Sequence, residues 1–307
     1  MFDWDVVIIG GGPAGLTAGL YLSRAKRRTI LLDKDGFGGY TKNVELVENY
    51  PGFADGVSGA QLASEMVHQA EKYGLQTELT EVNSIELFSG CRWVGCTGGR
   101  GYTTSIVIIA GGSRNKKLGV PGEESLQGKG VFSCALCDGG HFADRVVAVC
   151  GGGDAGVTEA LYMTKLASLV ILIEAEPRLT ATAVLQERAS ANPKLEILCG
   201  MTVEAILGDD KVEAIELVDK AGKRKEKIKV DGTLVHIGTE PNTGYLDGIV
   251  PLDSQGRIIV NSTMETEVPN IFAAGDIRSG SPRQIATAVG DGAIAAISAE
   301  RLLQEAS

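Results

Sequence analysis

Two short apolar runs, Asp5 to Ile9 and Arg145 to Cys150, each end on a cluster of glycines and then give way to helical spacing. After the first, Gly10-x-Gly12-x-x-Gly15 opens a predicted helix over Leu16 to Arg24, closed by the basic cluster Arg24 to Arg28. A second apolar run, Thr29 to Leu32, then delivers Asp33. After the later run, Gly151-x-Gly153-x-x-Gly156 opens a predicted helix over Val157 to Leu166. A strand over Leu169 to Ile173 follows, with Glu174 as its terminal acid. The order strand, glycines, helix, strand, acid therefore occurs twice, which marks two copies of one structural unit. Its physical logic is that of a dinucleotide-binding βαβ unit. Glycines permit a tight turn and close backbone approach, and the helix N-terminus faces a pyrophosphate. Asp33, 18 residues after Gly15, is placed to accept from a ribose hydroxyl.

The rest of the chain fills in around these units. Asp35 to Gly59 has little periodicity and several turn residues, a composition that suits a loop or a backbone approach to a ligand. Gly59 to Tyr73 reads as a helix and Gln76 to Ile108 as several strands. Ile106 to Ala110 is a buried-type strand that ends in Gly111-Gly112-Ser113. Near Arg114 the chain turns polar. Strand-like segments follow Gly208, then a turn at Gly238 to Asn242, and short strands at Ile259 to Asn261 and Ile271 to Ala274. The last of these runs into Gly275-Asp276, an acid at a strand's C-terminal end, where ligands of α/β folds gather. An Ala-rich helix over Ile285 to Leu303 closes the pattern. The fold class is α/β.

Composition narrows the function. The 307 residues suffice for two domains, each with its own core. A net charge of −10 argues against nucleic acid as a partner, because phosphate binding needs clustered Lys and Arg. The one basic run, Lys220 to Lys229, reads as a surface hairpin. No apolar run approaches a membrane span and no signal peptide is visible, so a cytoplasmic protein without a membrane partner is expected.

Six cysteines are present, and in a cytosolic chain of this size they do not read as a disulfide framework. Cys150 and Cys199 read as small buried hydrophobes at strand ends, and Cys91 and Cys96 flank Trp93 in a strand-like segment. Cys134-Ala135-Leu136-Cys137-Asp138 is different. Two thiols spaced in this way open and close as a disulfide ring, and the acid after them can trade protons with a thiolate. Paired cysteines also bind zinc, but a closed structural site needs four ligands and no second CxxC or HxxxH accompanies this pair. A redox role is the stronger reading, with no metal expected. Of the histidines, His68 and His236 read as structural and His141 as a surface loop residue.

Together these residues resemble the low-molecular-weight thioredoxin reductases, FAD-containing disulfide oxidoreductases. The resemblance spans essentially the whole chain. Its carriers are the first fingerprint, Glu48-Asn49-Tyr50-Pro51-Gly52, Ala110-Gly111-Gly112, the CxxC-Asp, the second fingerprint, Phe272 to Asp276, and Arg283-Gln284. It implies two Rossmann-like dinucleotide-binding domains. The FAD domain would be discontinuous, residues 1–113 and 245–307, with a nucleotide-binding-like domain at 114–244 carrying the CxxC. FAD would be held by Gly10, Gly12, Pro13, Ala14, Gly15, Asp33, Lys34, Gly39, Tyr40, Asn49, Ala110, Gly111, Asp276, Arg283, Gln284 and Ile285. Cys134 would attack the partner disulfide, Cys137 would face the flavin and Asp138 would carry the proton. The resemblance further implies a thioredoxin-like protein as electron acceptor, a rotation of one domain against the other, and a homodimer.

The second fingerprint departs from the family pattern. Its possible nucleotide ligands are Gly151, Gly153, Asp154, Ala155, Gly156 and Glu174. Where NADPH-using members carry a His-Arg-Arg cluster, this chain has Glu174-Ala175-Glu176-Pro177-Arg178. A 2′-phosphate would meet like charge there, whereas an acid at 174 suits the ribose diol of NADH. The family's Ser after the glycines is Ala155, its first helical acid is Thr158, and its Gln after Gly38-Gly39 is Tyr40, which would stack on the flavin or fill the loop. NADH, or a reduced carrier such as ferredoxin, is therefore the expected donor, and NADPH is not. The alternative function is a flavin-dependent dithiol oxidase that forms disulfides with oxygen as acceptor. A third class is a flavin- or metal-binding module with structural cysteines.

Overall fold

The computed structural model describes residues 2–219, 222, 224–246 and 248–305. The chain divides into two compact units, Met1–Arg114 with Glu240–Ser307, and Asn115–Thr239.

The first unit is built on a seven-stranded sheet. Trp4–Ile9 lies at its centre, parallel to Thr29–Asp33 on one side and to Gly101–Ile109 on the other. Gln76–Leu79 extends the parallel part beyond Thr29–Asp33, and Ile271–Ala273 pairs with the far half of Gly101–Ile109. The near half of Gly101–Ile109 pairs instead with Cys91–Cys96, which continues antiparallel into Val82–Phe88. Both faces of the central strands are covered, which explains why they read as unbroken apolar runs rather than as alternation. Val6, Ile8, Ile106, Ile108 and Phe272 face one core, formed with the helices Pro13–Arg24 and Ile285–Glu305. Val7, Ile9, Val107, Ile109 and Ile271 face a second core that includes Ile85, Val94 and Leu246. Side chains of this size contribute about 1.5–3 kcal/mol each when fully buried.

The second unit repeats the theme. Val146–Cys150 is central to a parallel sheet in the order Leu195–Cys199, Leu169–Glu174, Val146–Cys150, Gly232–Val235, Val131–Phe132. Val147, Val149 and Leu172 pack against the helix Asp154–Met163, while Ala148, Cys150 and Ile171 pack against an antiparallel three-stranded sheet. That sheet contains the hairpin Ala214–Asp219 and Lys225–Lys229, where the basic run was expected; Lys220, Ala221 and Lys223 lie outside the described residues.

Several expectations need correction. Ile259 to Asn261 is not a strand: only Ile258 bridges, to Leu252 and Arg278, the Ile259 amide donates to the Pro251 carbonyl, and Asn261 starts a turn whose Thr263 and Glu265 amides its side chain accepts. Thr239–Pro241, expected within a turn, is a short strand paired with Ser113–Asn115. The helix Ala183–Ala191 and the strand Met201–Leu207 have no counterpart in the periodicity reading. Cys199 is only half-buried. No helix among the described residues is long and apolar enough to cross a membrane.

Candidate active site

Cys134 and Cys137 are joined as a disulfide. Cys134 is the N-cap of a four-residue helix, Ala135–Asp138, which runs into a 3-10 turn, Gly139–Phe142. The Cys134 sulfur accepts from the Cys137 amide at 3.1 Å, and the Asp138 amide donates to the Cys134 carbonyl. Cys134 is buried, Cys137 exposed and Asp138 half-buried. The short helix is held from below: Phe132 and Phe142 stack at 4.7 Å, and a Cβ on Gly139 would lie 2.8 Å from the Met163 sulfur.

Two further side chains grip the backbone on either side of Cys134. Glu159 Oε2, on the helix Asp154–Met163, accepts the Ala135 amide at 2.6 Å. His236 Nε2 lies 3.2 Å from the Ser133 carbonyl, which can only accept, so Nε2 carries the proton. Burial pushes this imidazole below its ordinary value, and it is neutral at pH 7. Glu159 drew no attention in the sequence, because nothing in its local pattern links it to a residue 24 positions away. His141 is exposed in the turn after the pair, as expected of a surface residue. The remaining thiols are free, and burial pushes Cys150 up to about 12 and raises Cys96 and Cys199 as well. Such thiols are poor nucleophiles.

The two fingerprints have the same local geometry. In the first, Asp33 Oδ2 accepts the Gly11 amide at 2.7 Å and Oδ1 the Asp35 amide at 2.8 Å. In the second, Glu174 Oε2 accepts the Gly152 amide at 2.6 Å and Oε1 the Glu176 amide at 2.8 Å. Each terminal acid thus fastens its glycine turn. The outer glycines are required by packing: a Cβ on Gly15 would lie 1.9 Å from the Gly10 carbonyl oxygen, and one on Gly156 equally close to that of Gly151. The middle glycines are not. A Cβ on Gly12 would meet only Gly39 Cα at 3.9 Å, one on Gly153 only Thr180 Oγ1 at 3.7 Å, and neither backbone is left-handed. What these positions leave open is the approach to a helix N-terminus, where a pyrophosphate fits.

Other expected ligands gather around the first fingerprint. Ala110 ends Gly101–Ile109, its amide bonded to the Ile9 carbonyl. The Gly111 carbonyl accepts from Asn242 Nδ2 at 2.8 Å, a partner the sequence did not suggest. Gly275-Asp276 forms a 3-10 turn after Ile271–Ala273, and the Asp276 carbonyl accepts from buried Arg257 at 2.6 Å. Burial raises Asp276 above the usual carboxylate range, an effect opposed by Arg283 and Arg257. Asn49 Nδ2 donates to Gln284 at 2.9 Å, Arg283 has a left-handed backbone (φ 59°), and Ile285 opens the last helix. Gly39 and Tyr40 begin a 3-10 turn that lies over Gly12, with Tyr40 exposed. Lys34 is the outlier: its amine is paired with Glu81 at 3.1 Å on the surface. Around the second fingerprint, Asp154 Oδ1 accepts the Thr182 amide, Ala155 is exposed, and Glu176 and Arg178 are exposed beside buried Glu174.

A paired nucleotide-type fold with a CxxC disulfide between its fingerprints in the sequence defines a class, the nucleotide-linked disulfide oxidoreductases. Residues 4–292 match the family described as pyridine nucleotide-disulphide oxidoreductase. The chain is 41% identical to the thioredoxin reductase of Bacillus subtilis (strain 168), over 98% of this chain and 95% of that protein. It superposes on the crystal structure of Lactococcus lactis thioredoxin reductase in its FR conformation with a TM-score of 0.96, at 35% identity over 99% and 100% of the two chains. A more distant structure, a ferredoxin-flavin thioredoxin reductase from Clostridium acetobutylicum, matches with a TM-score of 0.53 at 28% identity, covering 98% of both chains. The chain belongs to the pyridine nucleotide-disulphide oxidoreductase family and, within it, to the low-molecular-weight thioredoxin reductases.

Proposed function

We propose that this chain is a flavoprotein disulfide reductase that passes electrons through FAD and the Cys134–Cys137 pair to the disulfide of a thioredoxin-like protein. The carrying observation is the disulfide at the start of a short helix, in a chain with two complete nucleotide fingerprints and four other thiols that are free. FAD supplies, when bound, the two-electron relay that reduces this disulfide. Its pyrophosphate belongs at Gly10, Gly12, Pro13, Ala14 and Gly15, its adenosine ribose at Asp33, and its remaining contacts at Gly39, Tyr40, Asn49, Ala110, Gly111, Asp276, Arg283, Gln284 and Ile285. Open space at Gly12 supports this fit. Lys34 contributes less, because its amine is committed to Glu81.

In the reduced chain, the Cys134 thiolate attacks one sulfur of the partner disulfide and the other sulfur leaves. Cys137 then attacks the mixed disulfide, restoring the Cys134–Cys137 bond and releasing the partner as a dithiol. Asp138, half-buried next to Cys137, moves the protons that balance this two-electron exchange. Cys134 is the more buried of the two, so a rotation of one domain against the other is part of the reading.

The expected donor is NADH or a reduced protein carrier such as ferredoxin, rather than NADPH. Glu174 and Glu176 stand where a 2′-phosphate would need cations, and Glu174 is buried with both oxygens already holding backbone amides. A homodimer in the cytoplasm completes the reading. Anaerobic titration of the FAD-loaded protein with NADH, NADPH and reduced ferredoxin, each followed by addition of oxidised thioredoxin, tests it. Bleaching by NADH or ferredoxin and stoichiometric thioredoxin reduction are expected. A protein that leaves the thioredoxin disulfide intact after full reduction refutes the proposal.

A further inference from the structure

The segment around Cys134 is held by groups the reductase reading does not use. Cys134 sits at the start of a helix whose first amides, those of Ala135, Leu136 and Cys137, point back along the chain. In a reduced pair such amides stabilise a thiolate, lower its pKa and make the corresponding disulfide strongly oxidising. A reductase needs the opposite. Here the Cys137 amide goes to the Cys134 sulfur at 3.1 Å, but the Ala135 amide is taken by Glu159 Oε2 at 2.6 Å. Glu159 is itself buried, and it reaches the pair from the helix that opens at the second fingerprint. On the other side of Cys134, neutral His236 fixes the Ser133 carbonyl at 3.2 Å. The peptide groups before and after the nucleophile are thus both tied to buried side chains of the same unit.

We propose that Glu159 is a positioning residue for Cys134: by occupying the Ala135 amide with a buried side-chain oxygen, it denies that donor to the Cys134 thiolate and keeps the disulfide a weak oxidant. His236 holds the Ser133 side of the same segment in register. The proposal rests on the reading of Cys134–Cys137 as the redox pair. It differs from a purely structural role, because freeing the Ala135 amide shifts the thiol–disulfide equilibrium and a substitute acceptor restores it.

The test equilibrates the FAD-loaded protein, without oxygen, in buffers of graded reduced-to-oxidised dithiothreitol. Free thiols are quenched with a maleimide mass tag and the tryptic peptide Gly130 to Arg145 is weighed. Each exchange converts the protein disulfide to two thiols and one dithiothreitol to its cyclic disulfide. Glu159→Ala frees the Ala135 amide, whereas Glu159→Gln keeps an oxygen acceptor for it. Glu159→Ala should raise the equilibrium constant for reduction about tenfold, a shift of ~30 mV, and Glu159→Gln should restore it to within threefold of wild type. A Glu159→Ala equilibrium within threefold of wild type, or a Glu159→Gln shift as large as that of Glu159→Ala, overturns the proposal alone. A wild-type pair that does not titrate as one two-electron couple overturns the reductase reading instead. Should Glu159→Ala fail to accumulate folded, hydrogen exchange on the wild type decides. An Ala135 amide slowed at least 100-fold supports the bond to Glu159, and one exchanging like an open loop amide overturns it.

Discussion

Replacing Gly12 with valine separates the demands of the fold from those of the cofactor. The Gly12 backbone is extended (φ −76°, ψ −177°), a region valine favours, and an added Cβ would meet nothing closer than Gly39 Cα at 3.9 Å. The apo protein should therefore fold, with stability within about 1 kcal/mol of wild type. The side chain would instead occupy the approach to the N-terminus of Pro13–Arg24. Losing even one amide bond to a charged pyrophosphate costs about 1.5–3 kcal/mol, a roughly 10- to 150-fold weaker affinity for FAD. Gly15→Val is the contrasting change: its Cβ would sit 1.9 Å from the Gly10 carbonyl oxygen, so the turn itself must break. Thermal unfolding of apo protein and fluorescence titration with FAD measure the two effects separately. Gly12→Val protein that binds FAD within threefold of wild type would refute the placement of the pyrophosphate at this turn.

Cys134→Ser and Cys137→Ser should each abolish multiple-turnover reduction of a protein disulfide, and Asp138→Asn should slow it ~10²–10⁴-fold while leaving the disulfide intact, as followed by insulin precipitation in the presence of thioredoxin. Introducing Arg at 175 and 176 should raise flavin reduction by NADPH in stopped flow if the second fingerprint binds nucleotide; Glu174 must stay, because its removal would unpair the Gly152 and Glu176 amides. Rapid reduction of the wild type by NADPH would defeat the argument. Asp291 accepts both Arg278 Nε (2.7 Å) and Nη2 (2.9 Å) and the Gly275 amide, and its side chain is only 6% exposed. Asp291→Ala leaves a guanidinium without its partner and should cost about 3–5 kcal/mol in urea unfolding.

Both fingerprints, their terminal acids and the CxxC were legible in the sequence because each is a local pattern. A tight turn, a helix start and a strand end fall within some 25 residues, and glycine's freedom from a Cβ leaves a mark at the very position where it is needed. The same locality explains the misreadings. Ile259 to Asn261 is apolar enough for a strand, but pairing stops at the bridge of Ile258 to Leu252, because Asn261 turns the chain by accepting the Thr263 and Glu265 amides. Ala183–Ala191 carries too weak an apolar stripe to announce a helix. What only the tertiary structure decided are the bonds that span the chain: Asn242 to Gly111 across 131 residues, His236 to Ser133 across 103, Glu159 to Ala135 across 24. Each joins a polar side chain to a backbone group far from it in the chain, and in the case of the Ala135 amide the need for a partner arises only once the fold has buried it. A buried amide or carbonyl must be paired, yet which residue pairs it depends on which strand ends the fold brings together, and no periodicity encodes that.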